Sequence, residues 1–489
     1  ILLLVPAEDG GFSNVLLSDM GVRGITRLGC VGLLVTMVAI PAAAQRGDVG
    51  GLNVFDEQLR VYLDKQKVRE TGFDAGGWFN FSYSRYDDAG ARRRRNLARY
   101  QLRGWGSLNL QEGAHKFYVR GLLQYDDWIN GSNPLSDRGD DFDEEVERAW
   151  YQFDLAKLIL HQKGEYSPYN LQVKVGRDFT TIGTALTLSL PLDQVQFKVR
   201  IKQLEFMALL GKTVRDTRNI DYSQRVANQM ERYLYGFELA YNFSNHRPFV
   251  YYWSQSDHTR PVNIDPNQKY DYSSSYLGAG STGTLLSPNL SYSVEAVGEW
   301  GRGYPEGVRF GQDEICAFAA DAQLEYHFPV KTNPRIMAEY LFATGDPDRR
   351  ISTNSTVGGN MPGTKDTAFN AFGFRDTGIV LAPRVSNLHM YILGARFFPL
   401  ESIRLFRKLE LGTKFFLYQK VRPGGPISDT LATDNSSWVG WEWDVYANWR
   451  ITSDLAWTMR YGVFEPGAAY DTFGQDSRSF LYTGAILSF

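Results

Sequence analysis

A chain of 489 residues is long enough for two or three soluble domains, but its composition points elsewhere. Aromatics reach 14%, glycines number 47 and the mean hydropathy is mildly negative, a mixture too polar for helices that need about 20 apolar residues to cross a bilayer and well suited to strands that alternate lipid-facing with water-facing side chains. A net charge of −3 carries no signature of a nucleic-acid partner, and two cysteines, Cys30 and Cys316, leave no room for a disulfide framework or a thiolate metal site.

The first predicted element is a leader. Arg23 and Arg27 follow Met20 and precede the apolar run Leu28–Ile40, which ends in Pro41-Ala42-Ala43-Ala44. A positive n-region, a short apolar core and a small-residue exit describe a secretory signal, with cleavage expected before Gln45. Residues 1–19 read as an over-extended frame ahead of Met20. Residues 45–69 then form a periplasmic segment in which Val54–Val68 suits a short helix or plug, an extra strand or a flexible arm.

From about residue 70 to 489 the sequence breaks into alternating segments of roughly ten residues, the pattern of a transmembrane β-barrel. On Trp438–Ile451, Val439, Trp441, Trp443, Val445, Ala447 and Trp449 share one face and Glu442, Asp444, Asn448 and Arg450 the other. Tyr233, Tyr235, Phe237, Leu239, Tyr241 and Phe243 repeat the apolar face, as do Leu290, Tyr292, Val294, Ala296 and Trp300 opposite Ser291, Ser293, Glu295 and Glu299. Val195, Phe197, Val199 and Ile201 oppose Gln196, Lys198, Arg200 and Lys202.

These segments number about 18, an even count that returns both ends to the periplasm. Short links at Gln111–His115, Ser244–Arg247 and Thr452–Asp454 read as periplasmic turns; Asp127–Glu145, Arg215–Met230 and Gly345–Arg384 read as long extracellular loops. The expected fold is therefore an all-β, antiparallel, 18-stranded barrel in a bacterial outer membrane. Gly484, Leu487 and the terminal Phe489 have the order of the signal read by barrel-assembly machinery.

Three stretches resemble the alginate-export family of outer-membrane porins. They are Ala149-Trp150-Tyr151-Gln152-Phe153-Asp154 with Leu171-Gln172-Val173-Lys174-Val175-Gly176-Arg177, then Thr344-Gly345-Asp346-Pro347-Asp348 with Ala368-Phe369-Asn370, and Gly462-Val463-Phe464-Glu465-Pro466-Gly467-Ala468-Ala469-Tyr470. The resemblance spans about residue 146 to the end. It implies a monomeric channel that passes an acidic polysaccharide outward through a basic lumen, with periplasmic export components as partners.

The face assignments place Arg99, Arg103, Arg120, Arg148, Lys174, Lys198, Arg200, Lys202, Arg232, Arg396, Arg450 and Arg460 inward, because a cation on the lipid face costs roughly 2–4 kcal/mol near the midplane. Guanidinium rings grip carboxylates in bidentate fashion. Glu295, Glu299, Asp321, Glu325, Glu339, Glu442 and Asp444 also face inward, so the lumen is either a cargo path braced by acids or a salt-bridged wall. Arg92–Arg95 fit lipopolysaccharide phosphates or a solvated loop, and Asp140–Glu145 offer carboxylates in no ordered calcium-loop spacing. No catalytic grouping, metal motif, cofactor motif or nucleotide site is evident. The main expectation is a channel for an anionic or sugar-like solute with Gly345–Arg384 as gate; the rival is a barrel shell that encloses or displays a partner protein.

Overall fold

Alternation with period two forces every strand to present one face to lipid and one to the interior, and the chain satisfies both by closing on itself. The structure, a computed structural model, describes residues 5–6, 12–13, 71–88, 94–131, 140–214, 221, 223, 231–259, 269–305, 311–373, 375–472 and 474–489. The leader, the 45–69 segment, Arg92, Arg93 and most of Arg215–Met230 lie outside the described residues.

The described strands of the wall run β1 (Thr71–Asp87), β2 (Arg95–Leu110), β3 (His115–Asn130), β4 (Asp141–Asp154), β5 (Tyr169–Ile182) and β6 (Leu188–Ile201). They continue with β7 (Leu204–Thr213), β8 (Arg232–Tyr241), β9 (His246–Asp257), β10 (Tyr272–Thr284), β11 (Leu290–Gly303) and β12 (Asp313–His327). The last third is β13 (Arg335–Ala343), β14 (Leu388–Phe397), β15 (Leu409–Lys420), β16 (Trp438–Arg450), β17 (Leu455–Pro466) and β18 (Arg478–Ser488). Each pairs antiparallel with its neighbours, and β18 returns to β1 from Ser479↔Asp87 to Ser488↔Trp78. This is the expected 18-stranded closed barrel. At the seam Phe489 and Gly77 exchange backbone hydrogen bonds of 2.9 Å in both directions, so the terminal residue completes the ladder.

The outside is apolar. On β8, Tyr233, Tyr235, Phe237, Leu239 and Tyr241 are exposed while Arg232, Leu234, Glu238 and Ala240 are buried. That inversion of a soluble sheet is what a lipid-facing wall requires. Cys316 lies exposed on β12.

Three features depart from the simple alternation. A register shift between Tyr418 and Gln419 opposes Trp438 to Gln419 and Gly440 to Tyr418, and the intervening Val439 turns inward, 0% exposed, instead of joining Trp441 and Trp443 at the lipid. Lys202 sits in the turn between β6 and β7 with φ +53°, beyond the wall. Link lengths also break the short–long rhythm. The periplasmic β4–β5 link carries a helix, α1 (Leu155–Lys163), capped by Asp154, whose carboxylate accepts from Lys157 N at 3.2 Å. Conversely, the β5–β6 link at the opposite end is only residues 183–187.

A lipid-face charge tests the membrane assignment. Leu393 on β14 is 60% exposed; Leu393→Arg is expected to destabilise folding into bilayers by roughly 2–4 kcal/mol, measured by denaturant titration in liposomes.

Candidate functional site: an inserted loop facing a basic wall

Two segments leave the wall and enter the barrel. The first is the far end of the β5–β6 hairpin. Pairing of β4 with β5 stops at Ala149↔Arg177, and pairing of β6 with β7 stops at Leu192↔Thr213, so residues beyond these pair only within the hairpin and with the inserted loop. Gly176 makes the corner with φ +121°; a Cβ there would lie 2.2 Å from Ala149 O, which only glycine avoids. The Gly-Arg pair singled out in the sequence is therefore the point of departure.

The second segment is the long β13–β14 link, residues 344–387. Its two ends meet at one carbonyl: Thr344 O accepts from Phe369 N and from Asn387 N, both at 3.1 Å. Asp346 accepts from Asp348 N at 2.8 Å and Thr367 N at 2.7 Å, which explains the Gly-Asp stretch as a clamp on the loop base. Phe372–Gly373 adds to the hairpin as a short parallel strand on Leu188–Ser189. Phe372 and Phe369 then pack edge-on against the stacked pair Trp253–Tyr276, whose centroids are 4.3 Å apart. An apolar core thus forms inside the barrel.

Irregular backbone in a barrel must find acceptors for its amides, since each unsatisfied buried N–H costs about 1–3 kcal/mol. The wall supplies carboxylates. Glu442 on β16 accepts from Val380 N at 2.7 Å and Leu381 N at 2.8 Å, and Asp444 from Ile379 N at 3.3 Å. Glu299 on β11 accepts from Asn370 N at 2.8 Å and Tyr272 Oη at 2.7 Å. Glu295 accepts from Thr184 N at 2.5 Å, and Glu238 from Gly183 N at 3.0 Å. Gly378, φ +103°, brings the loop onto this wall; its Cβ would sit 2.6 Å from Glu442 Oε1. Arg375 ties the two insertions together, binding Asp321, Glu339 at 2.9 Å and Thr184 O at 3.2 Å. Burial opposes its charge, but those two carboxylates more than offset this and raise its affinity for the proton. At the extracellular end Asp221 bridges Arg232, at 2.8 Å, to the amide of Thr356 at 3.0 Å. Burial would raise the Asp221 carboxyl, yet Arg232 and the hydrogen bonds of Ser223 and Thr356 hold it below the usual carboxylate range.

The opposite wall, β2–β6, is basic. Arg99 and Asp126 form a bidentate pair at 2.7 and 2.8 Å. A bulge on β4 follows: Arg120 opposes Arg148 and Gly121 opposes Val146, leaving Glu147 as the extra residue. Glu147 thereby reaches the interior next to Arg148 and bridges Arg103 at 3.0 Å and Arg120 at 2.8 Å. Arg148 and Lys174 share Asp178, the latter at 2.8 Å. Lys198 and Arg200 are exposed and have no carboxylate within 4 Å among the described residues. The remaining sequence-derived cations lie apart from this wall. Arg232 is buried against Asp221 and Asp257, Arg396 approaches Glu325 at 3.3 Å and Glu410 at 3.9 Å, and Arg460 lies over the Tyr446 ring at 5.5 Å. Arg450 closes a periplasmic turn through Thr452 O at 3.3 Å. Gly484 and Leu487 lie on β18 beside the seam.

The carboxylates of the Asp140–Glu145 stretch do not converge. Asp140 accepts from Trp128 N at 3.0 Å, and no three His, Cys, Asp or Glu among the described residues are placed to hold a metal ion.

The sequence profile of alginate export proteins matches residues 220–482. The chain belongs to the alginate export family. The match takes in the inserted loop, the Thr344–Asp348 clamp and the Gly462–Tyr470 stretch, whereas the basic wall and the Gly176 corner lie before it. Solved structures of similar fold include OccAB2 of Acinetobacter baumannii, with 11% identity, a TM-score of 0.54 and coverage of 87% of this chain and 99% of that one. OccK5 (OpdH) and OccK8 (OprE) of Pseudomonas aeruginosa each give a TM-score of 0.52 at 12% and 11% identity, covering 85% of this chain and 98% of theirs. No curated protein sequence matches. Family and fold together make the chain an outer-membrane channel of the porin type, a transporter in lipid contact.

Sequence reasoning missed the partners that define both walls. Glu147, Asp126 and Asp178 carry no motif; the one available signal was two consecutive inward-type residues, Glu147-Arg148, in an otherwise alternating strand. Replacing Glu442 by Ala strips two buried amides of their acceptor. Hydrogen exchange at Val380 and Leu381 is expected to accelerate by a factor equivalent to about 2–4 kcal/mol, with exchange in β1–β4 unchanged.

Proposed function

We propose that the channel passes an anionic, sugar-like solute between the inserted loop and the β2–β6 wall, and that export of an acidic exopolysaccharide such as alginate is the fitting cargo. One observation carries this reading: of the acids on β11–β16, Glu295, Glu299, Glu442 and Asp444 hold amides of the two insertions, Asp321 and Glu339 hold Arg375, and Glu325 and Glu410 face Arg396, while the loop contacts given above lie on the hairpin, on Asp221 and on β9–β16. The wall left facing the passage is the one rich in Arg and Lys. Arg99, Arg103, Arg120 and Arg148 are buried in that wall with their carboxylates and set its positive field, while the exposed Lys198 and Arg200 present cations that an acidic polymer can grip and release. Export components on the periplasmic side, the assembly machinery that reads Gly484, Leu487 and Phe489, lipopolysaccharide at the rim and a monomeric state complete the proposal.

Arg99 and Arg103 are poor targets for a test, because neutralising them strands the buried acids Asp126 and Glu147. Lys198 and Arg200 lack such partners. The double variant Lys198→Gln/Arg200→Gln is expected to lower the chloride-over-potassium permeability ratio roughly threefold, because a hydrated ion passing at about 10 Å in salt feels only a few tenths of the about 1 kcal/mol that each charge exerts at about 4 Å in water. Reversal potentials across a salt gradient in planar bilayers measure this. An unchanged ratio would remove the basic wall from the selectivity path. A silent wild-type protein whose 345–384 deletion also stays silent would favour a shell around a partner.

A further inference from the structure

The periplasmic third of the same wall carries a row of aromatic rings that no ion pair or loop contact among the described residues accounts for. Trp105 on β2, Tyr118 on β3 and Trp150 on β4 occupy adjacent inward positions. Their rings are nearly parallel, Trp105–Tyr118 at 6.2 Å and 19° and Tyr118–Trp150 at 5.3 Å and 23°. Inward placement follows from their neighbours: Phe117 and Val119 on either side of Tyr118 are exposed on the lipid face. All three rings are half-buried, so each keeps apolar surface open to the interior. Two ammonium groups sit on the end of the row, Lys174 Nζ 4.7 Å and Lys116 Nζ 5.7 Å from the Trp150 ring centroid. Lys116 has no carboxylate within 4 Å among the described residues.

Large apolar rings lining a polar, water-filled wall are costly unless something apolar on one side and polar on the other covers them. A pyranose ring has that character: its axial C–H bonds form an apolar patch and its hydroxyls a polar rim. A carboxylated pyranose adds an anion for the two lysines. We propose that Trp105, Tyr118 and Trp150 form a glycan track at the periplasmic mouth, on which the sugar rings of a polyuronate lie while Lys116 and Lys174 take its carboxylates. This rests on the cargo class proposed above and locates its first contact. Beyond the track, Trp78 on β1 lies under both Arg103 and Arg120, at 5.9 and 5.7 Å, so the aromatic row continues toward the buried guanidiniums of the same wall.

The test is isothermal titration of the detergent-solubilised full chain with an oligouronate, beside a malto-oligosaccharide of equal length as the neutral control. Tyr118→Leu/Trp150→Leu keeps apolar volume and removes the rings; it is expected to weaken oligouronate binding at least about tenfold while the chloride-over-potassium ratio stays at the wild-type value. Tyr118→Phe/Trp150→Phe, which keeps rings, is expected to bind within about twofold of wild type. Equal binding by the leucine variant overturns the track and leaves the proposed cargo standing. Equal binding of the neutral oligosaccharide by wild type overturns the role of the lysines. A wild-type protein that binds neither overturns the track together with the proposed cargo, whatever its ion selectivity.

Discussion

The hydrogen bond between a wall carboxylate and a loop amide is the interaction on which the rest of this molecule depends. A closed barrel satisfies its own backbone completely, which leaves nothing for a segment that enters from outside. An inserted loop is stable only if side chains supply the missing acceptors, and a carboxylate is the strongest one available because the bond is charge-assisted. Glu442, Asp444, Glu299, Glu295 and Glu238 each accept at least one amide from residues 183–184 or 370–381. The aromatic cluster of Trp253, Tyr276, Phe369 and Phe372 adds apolar burial, but it follows from the docking that the amides permit.

This interaction also divides the interior electrically. Acids that would repel an anion are covered by the loop they hold, and Arg375 neutralises two more. The opposing wall keeps its cations, with Asp126, Glu147 and Asp178 as braces. A lumen that reads as mixed in one dimension becomes two surfaces of opposite character in three, one of them occupied.

Much of this was legible. The alternating faces, the strand number and the family all follow from local patterns of period two and from short motifs. The faces of β8, β11 and β6 needed no tertiary information, because lipid contact imposes the same rule on every strand. What escaped were features set between strands. The Glu147 bulge and the inward turn of Val439 depend on a neighbour's register, which the strand's own sequence does not encode. Lys202 continued the alternation of β6 formally, yet the chain had already entered its turn. The acids of β11–β16 were placed on the correct face, but their partners are main-chain amides of a segment distant in sequence. A backbone amide has no residue type, so no pattern of letters could announce it.

The clamp at Thr344 has a consequence for how such a channel diversifies. Because both ends of the inserted segment are fastened at one carbonyl and its middle is held through main-chain amides, the exposed loop side chains, such as Ile351 and Met361, are not part of the fastening. Substitutions there can reshape the passage without loosening the insert, and changes on the basic wall can alter its chemistry without touching either. The two surfaces of the pore are thus free to vary independently, so a lineage can exchange one cargo for another by small steps while the barrel that carries them stays the same.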